Sequence, residues 1–130
     1  MKPRSEKEIQ AILHLDGPAR FRHFIKRVVD FEEAWGLWKD GWALMKNNEG
    51  TLIFPLWPAR EYAELNRIED WADYEPKSIA LTELMNDLLP DFTERGILPG
   101  VFPTPGGKGV TPTADELAIS LRKFDTENYG

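Results

Sequence analysis

Cysteine is missing from all 130 residues, and that absence removes disulfides, thiolate zinc sites and cysteine nucleophiles together. Histidine is scarce. His14 and His23 are the only two, and no His-x-x-His or Glu-x-x-His spacing accompanies either, so the sequence gives no metal site. No apolar run approaches the ~20 residues that cross a bilayer, which argues against a membrane protein. Met1-Lys2-Pro3-Arg4 is basic but leads into charged residues rather than an apolar signal core, so a cytoplasmic location is expected. There is no Gly-x-Ser-x-Gly elbow, and Ser5, Ser78 and Ser120 suggest no Ser/His/Asp set. No cofactor is expected.

Positive charge is also in short supply. The net charge is −6 and the pI near 4.9, which argues against a general nucleic-acid binder. The charge is uneven: residues 1–46 carry nine Lys/Arg against seven Asp/Glu, residues 47–130 seven against fifteen. Solvated faces of ordinary helices account for such asymmetry. The sharper alternative is a basic docking face made by Arg20, Arg22, Lys26 and Arg27 on an N-terminal helix.

What is present describes one soluble domain, residues 1–130, with 42% hydrophobic residues and enough length to bury a core unaided. The stretch Trp35–Trp57 holds four of the five tryptophans. Within it Trp42, Leu44 and Lys46 alternate with Ala43 and Met45, and Leu52, Phe54 and Leu56 alternate with Ile53 and Pro55. A two-residue period on both sides of Asn47-Asn48-Glu49-Gly50 predicts a central β-hairpin.

Ser5-Glu6-Lys7-Glu8 reads as a capping box opening a helix over residues 5–15. Pro18 suits the first turn of a second helix, and Phe21, Phe24, Ile25 and Val28 carry its buried stripe to about Glu33. Pro58 opens a short helix through Arg67 with Tyr62 and Leu65 inward. Glu69–Tyr74 reads as a loop and Ser78–Leu81 as a short strand. Thr82 is the expected cap of a helix running to Leu89, with a fresh turn from Pro90 and a stop at Gly96. Ile97–Phe102 predicts a strand held to an edge or bulge by Pro99, with Val101 offering an apolar edge where two copies pair. Pro103–Gly109 is a turn and Val110–Pro112 a short return strand. Thr113–Glu116 is a second capping box, Leu117, Leu121 and Phe124 the last helix's stripe, and residues 125–130 a fraying tail. The pattern is α+β: a mostly antiparallel sheet with about five helices.

Pro105-Gly106-Gly107-Lys108-Gly109 invites a phosphate-loop reading and fails its spacing, because Phe102 and Gly109 stand where the motif needs Gly and Ser or Thr. Asp40, Glu61, Asp70 and Asp73 supply general acids or bases only if they meet in a cleft. The five tryptophans fill a core or line a binding surface. Trp35 and Trp42 are assigned to the core, and Trp71, among acids, to a more exposed role.

The segments Val29–Trp42, Phe54–Pro58, Glu61–Ala63 and Phe102–Val110 resemble a bacterial family, the domain of unknown function 2750. The resemblance runs from about Phe21 to Phe124, within a core assigned to residues 18–124. In order, the elements are also similar to the N-terminal domain of the serine-sensitivity-enhancing (SseB-like) proteins, which implies an antiparallel α+β fold. Neither group implies a reaction or catalytic residues.

The expectation is a non-enzymatic protein-interaction or regulatory module. Its surface joins Trp57, Arg60 and Glu61 to the Glu69–Tyr74 loop, including Trp71, and to the Gly106–Gly109 turn with Lys108. The alternative is a domain or enzyme binding a small anionic ligand beside the hairpin through Arg60 or Lys108.

Overall fold

The structure, a computed structural model, describes residues 5–130; the basic start Met1–Arg4 lies outside them. Helix α1 (Glu6–Leu13) begins where the Ser5 hydroxyl accepts the Glu8 N–H at 3.2 Å. Helix α2 (Gly17–Phe31) is capped by Asp16, whose carboxylate accepts the Ala19 N–H at 2.8 Å, with Pro18 in the first turn. Its stripe buries Phe24, Ile25, Val28 and Val29. Glu32, at φ 58°, then turns the chain straight into strand β1 (Glu33–Trp38). The sequence reading assigned no strand there. Gly36 and Leu37 are both buried, so the alternation that begins at Glu33 breaks after four residues.

The expected hairpin forms from β2 (Met45–Lys46) and β3 (Leu52–Leu56), with Met45 opposite Ile53. The Asn47 side chain closes its loop by accepting the N–H groups of Glu49 and Thr51, each at 2.9 Å, and Gly50 takes φ 82°. Strand β4 (Glu75–Ala80) pairs antiparallel with β1. Strand β5 (Leu98–Val101) lies beside β3 and runs parallel to it, giving the order β2-β3-β5. Reciprocal bonds between Trp35 and Trp57, at 2.9 and 2.8 Å, stitch the two sheets together. The fold is α+β and mostly antiparallel, as its sequence pattern indicates.

Helix α3 (Arg60–Leu65) buries Tyr62, but Leu65 points outward at 38% exposed, against expectation. Helix α4 (Leu81–Glu83) follows β4 directly from Ala80, so Thr82 lies inside the first turn instead of capping it. It continues without a break through a π segment (Leu84–Leu88) into α5 (Leu89–Arg95). Pro90 lacks an N–H and its ring would clash with a carbonyl one turn back. The chain accommodates it by widening: the Leu89 N–H donates to Leu84 O, five residues earlier. The rod ends at Gly96, left-handed at φ 69°.

Helix α6 (Ala114–Tyr129) starts with the full capping box: Thr113 Oγ1 accepts the Glu116 N–H at 3.1 Å, and Glu116 Oε1 accepts the Thr113 N–H at 2.8 Å. The residues read from sequence as a tail are helical here. The helix runs to Tyr129, whose hydroxyl donates to Asp30 Oδ1 on α2. With α4 to α5 taken as one rod, the described residues form five helices.

The core lies between these helices and one face of the sheets. Phe54 of β3 meets Phe92 of α5 at 4.9 Å between ring centroids. Val101 is not an open edge: it exchanges backbone bonds with Val110 at 2.7 and 3.0 Å and is 1% exposed. Pairing of two copies at Val101 is therefore closed off by the chain's own return strand. Among the described residues no helix is long and apolar enough to cross a membrane.

Candidate functional site

Alternation along β3 turns Ile53 away from the face on which Phe54 meets Phe92. On Ile53's side lies a cleft of about 790 Å³. Met45, Ile53 and Gly100, one from each strand, make its floor. A Cβ at Gly100 would sit 2.7 Å from Ile53 Cγ2, so glycine is what lets the two strands share a level floor. The walls are the hairpin (Leu44–Asn48), the turn after α3 (Asn66 and Ile68–Trp71), and the loop that follows β5, from Pro103 to Thr111.

Buried polar contacts fix the second and third walls to each other. The Pro103 carbonyl accepts Trp57 Nε1–H at 2.8 Å and Asn66 Nδ2–H at 3.4 Å, and Asn66 also donates to Tyr62 O at 2.8 Å. Arg67 braces the turn from outside, reaching Glu64 at 2.6 Å, Glu75 at 3.4 Å and the Ala72 carbonyl at 3.5 Å. The Glu64 hydrogen bond holds its guanidinium charged and raises its pKa. On α2, Arg20 donates to Leu15 O and, at 3.4 Å, to the carbonyl of Lys108 in the loop.

The loop's glycines serve the turn. Thr104 and Gly107 exchange backbone bonds at 3.0 and 3.1 Å, which engages the Gly107 N–H that a phosphate cradle would need. Two residues bordering the cleft adopt strained left-handed backbones, Glu69 (φ 53°) and the buried Phe102 (φ 59°). Each such residue stores on the order of 1–3 kcal/mol and is tolerated only where surrounding packing insists.

The lining is amphipathic. Leu44 and Ile68, 40% and 44% exposed, stand on separate walls. Lys46 and Lys108 bring positive charge, and Glu69 and Asp70 negative charge. Among the described residues, no three of His, Asp and Glu gather closely enough to hold a metal ion.

The structure divides the five residues singled out in the sequence. Trp71 and Lys108 line the cleft. Trp57 does not reach a surface: it is fully buried, and Trp71 meets it edge-to-face at 6.2 Å. Arg60 is exposed elsewhere, its guanidinium 5.9 Å from the Trp35 ring. Glu61 sits on α3, outside the cleft lining, with Oε2 buried. The four carboxylates do not converge either. Asp70 is the one that lines the cleft, while Asp73 pairs with Lys39 at 3.5 Å. Two members of the basic face of α2 are engaged locally: Lys26 pairs with Asp30 at 2.8 Å and Arg27 covers the Phe31 ring at 4.2 Å.

Sequence reasoning missed Leu44, Ile68, Lys46 and Asn66. No local signal marks them, because the cleft is assembled from three segments far apart in the chain.

Across this framework, the model of a family described as "Protein of unknown function (DUF2750)" matches residues 21–121. The chain belongs to the DUF2750 family. The match spans every wall of the cleft and leaves out α1, the start of α2 and the end of α6. It supports the DUF2750 resemblance and does not bear on the likeness to SseB-like domains. No curated protein and no solved structure matches this DUF2750 chain significantly.

Proposed function

We propose that this domain is a non-catalytic, cytoplasmic recognition module, regulatory in role, that takes up a segment of a protein partner in the cleft over the β2-β3-β5 sheet. The observation that carries the reading is the presence of two exposed aliphatic side chains, Leu44 and Ile68, on separate walls of one cleft. Exposed apolar surface concentrated around a concavity and rimmed by charge is how recognition sites look on small domains. The buried Trp57–Pro103–Asn66 contacts hold the walls in place beforehand, which lowers the ordering cost of binding.

The test is affinity capture from a source lysate. The wild-type domain retains a defined protein, and Leu44→Asp/Ile68→Asp, folded by circular dichroism, does not. Equal retention by both proteins would contradict the reading.

Lys46 and Lys108 on separate walls support a second reading, a small anionic ligand in the same cleft. A ligand at a hundred times its dissociation constant raises stability by ~2.7 kcal/mol. Thermal shift across an anionic metabolite panel therefore separates the two: a hit lost in Lys108→Ala favours the small ligand.

A further inference from the structure

A second groove, of about 460 Å³, runs between the α4–α5 rod and α6 and shares no residue with the cleft. Met85 of the π segment, Leu89 and Pro90 form one side, and Ala118 and Ile119 the other. Ile119 is 61% exposed, a large aliphatic group in water on a helix whose opposite stripe, Leu117 and Leu121, is fully buried.

Two charged residues line this groove, Asp115 and Arg122. With Ile119 they stand at i, i+4 and i+7, on one face of α6. Asp115 is held there by the Thr93 hydroxyl at 3.5 Å. The midpoint between acid and base falls at Ala118–Ile119. A twofold axis through that point, bringing a second α6 antiparallel to the first, sets each Asp115 opposite the other copy's Arg122. Exposed Glu116 and Lys123 extend the same polarity, acid toward the start of the helix and base beyond its middle.

We propose that this face of α6 is a homodimer interface, with each Ile119 seated in the other copy's groove between Leu89 and the small Ala118. The charge pattern selects a second copy as the occupant. An isologous contact must be self-complementary, and acid–aliphatic–base along one helix face is complementary to itself only when antiparallel. Parallel pairing would oppose Arg122 to Arg122.

Sedimentation velocity of the full chain across a micromolar concentration series tests this. Wild type passes from monomer to dimer. Ile119→Asp, Asp115→Arg and Arg122→Asp each raise the dimer dissociation constant more than tenfold, with the helical circular-dichroism signal retained. An equimolar mixture of Asp115→Arg and Arg122→Asp recovers the dimer, because one copy then carries two bases and the other two acids. The Asp115→Arg/Arg122→Asp double variant recovers it as well. A wild type that stays monomeric throughout, a dimer indifferent to the three substitutions, or a mixture no better than its components would overturn the proposal.

Discussion

Trp71 stands edge-on to Trp57, 6.2 Å away with the rings 86° apart, one indole half-buried in the cleft wall and the other wholly inside. The pair joins core to candidate site, so the two substitutions have different consequences. Trp57→Ala removes a fully buried ring and the donor to Pro103 O, and costs about 3–5 kcal/mol in urea unfolding. Trp71→Ala costs about 1–2 kcal/mol, from partial burial and the lost edge contact, and leaves a folded protein. Equal losses would mean that Trp71 belongs to the core and cannot report on the cleft.

Two neighbouring glycines give a cleaner test of the loop wall. A Cβ at Gly109 would lie 2.5 Å from the Val101 carbonyl oxygen, in backbone that cannot retreat, whereas one at Gly106 meets nothing within 4 Å. Gly109→Ala is expected to cost about 1–3 kcal/mol by overpacking. Gly106→Ala should be neutral or stabilise by about 0.4–1 kcal/mol through the unfolded chain. Matching melting temperatures for the two variants would contradict the Val101–Val110 pairing.

The clasp between α2 and α6 sets a pH window. The Lys26 hydrogen bond, then that from Tyr129, lowers the Asp30 pKa, and the Asp30 bond raises that of Tyr129. A lowered carboxyl pKa stabilises the fold above its unfolded value and loses that contribution as pH falls through the folded one. A raised phenol pKa does the reverse at the alkaline end. The melting-temperature gap between wild type and Tyr129→Phe should therefore be widest between about pH 5 and 9, and narrow below about 4 and above about 10. A gap unchanged at both extremes would show that the Tyr129 hydroxyl contributes nothing through Asp30.

The capping box of α6 behaves similarly at the acid end. Hydrogen bonds from the Thr113 backbone and then from its side chain lower the Glu116 pKa, so this half of the cap is lost as pH falls through that lowered value. Thr113→Ala should cost about 0.5–2 kcal/mol at neutral pH. Denaturant midpoints at neutral and acid pH check both statements.

Local rules made much of this fold legible. The 21–24–25–28 spacing and Pro18 located α2, Asn47–Gly50 located the hairpin, and Thr113 with Glu116 located the start of α6. What escaped depended on distant partners. The extension of α6 to Tyr129 is supported by Asp30, which no window of sequence connects to it. Strand β1 buries the adjacent Gly36 and Leu37, which breaks its period after four residues. Leu44 reads only as one member of the hairpin's alternation until the walls around it are known, and Trp57 as a surface anchor until Pro103 and Trp71 enclose it.

Site-specific photo-crosslinking in a source lysate tests recognition in the cleft most directly, with the photoreactive residue at Leu44, at Ile68, or at Gln10 on α1 as control. The account predicts one discrete protein adduct of the same mass from positions 44 and 68, and none from position 10. Adducts that are identical at all three positions, or absent from the two cleft positions, would contradict it.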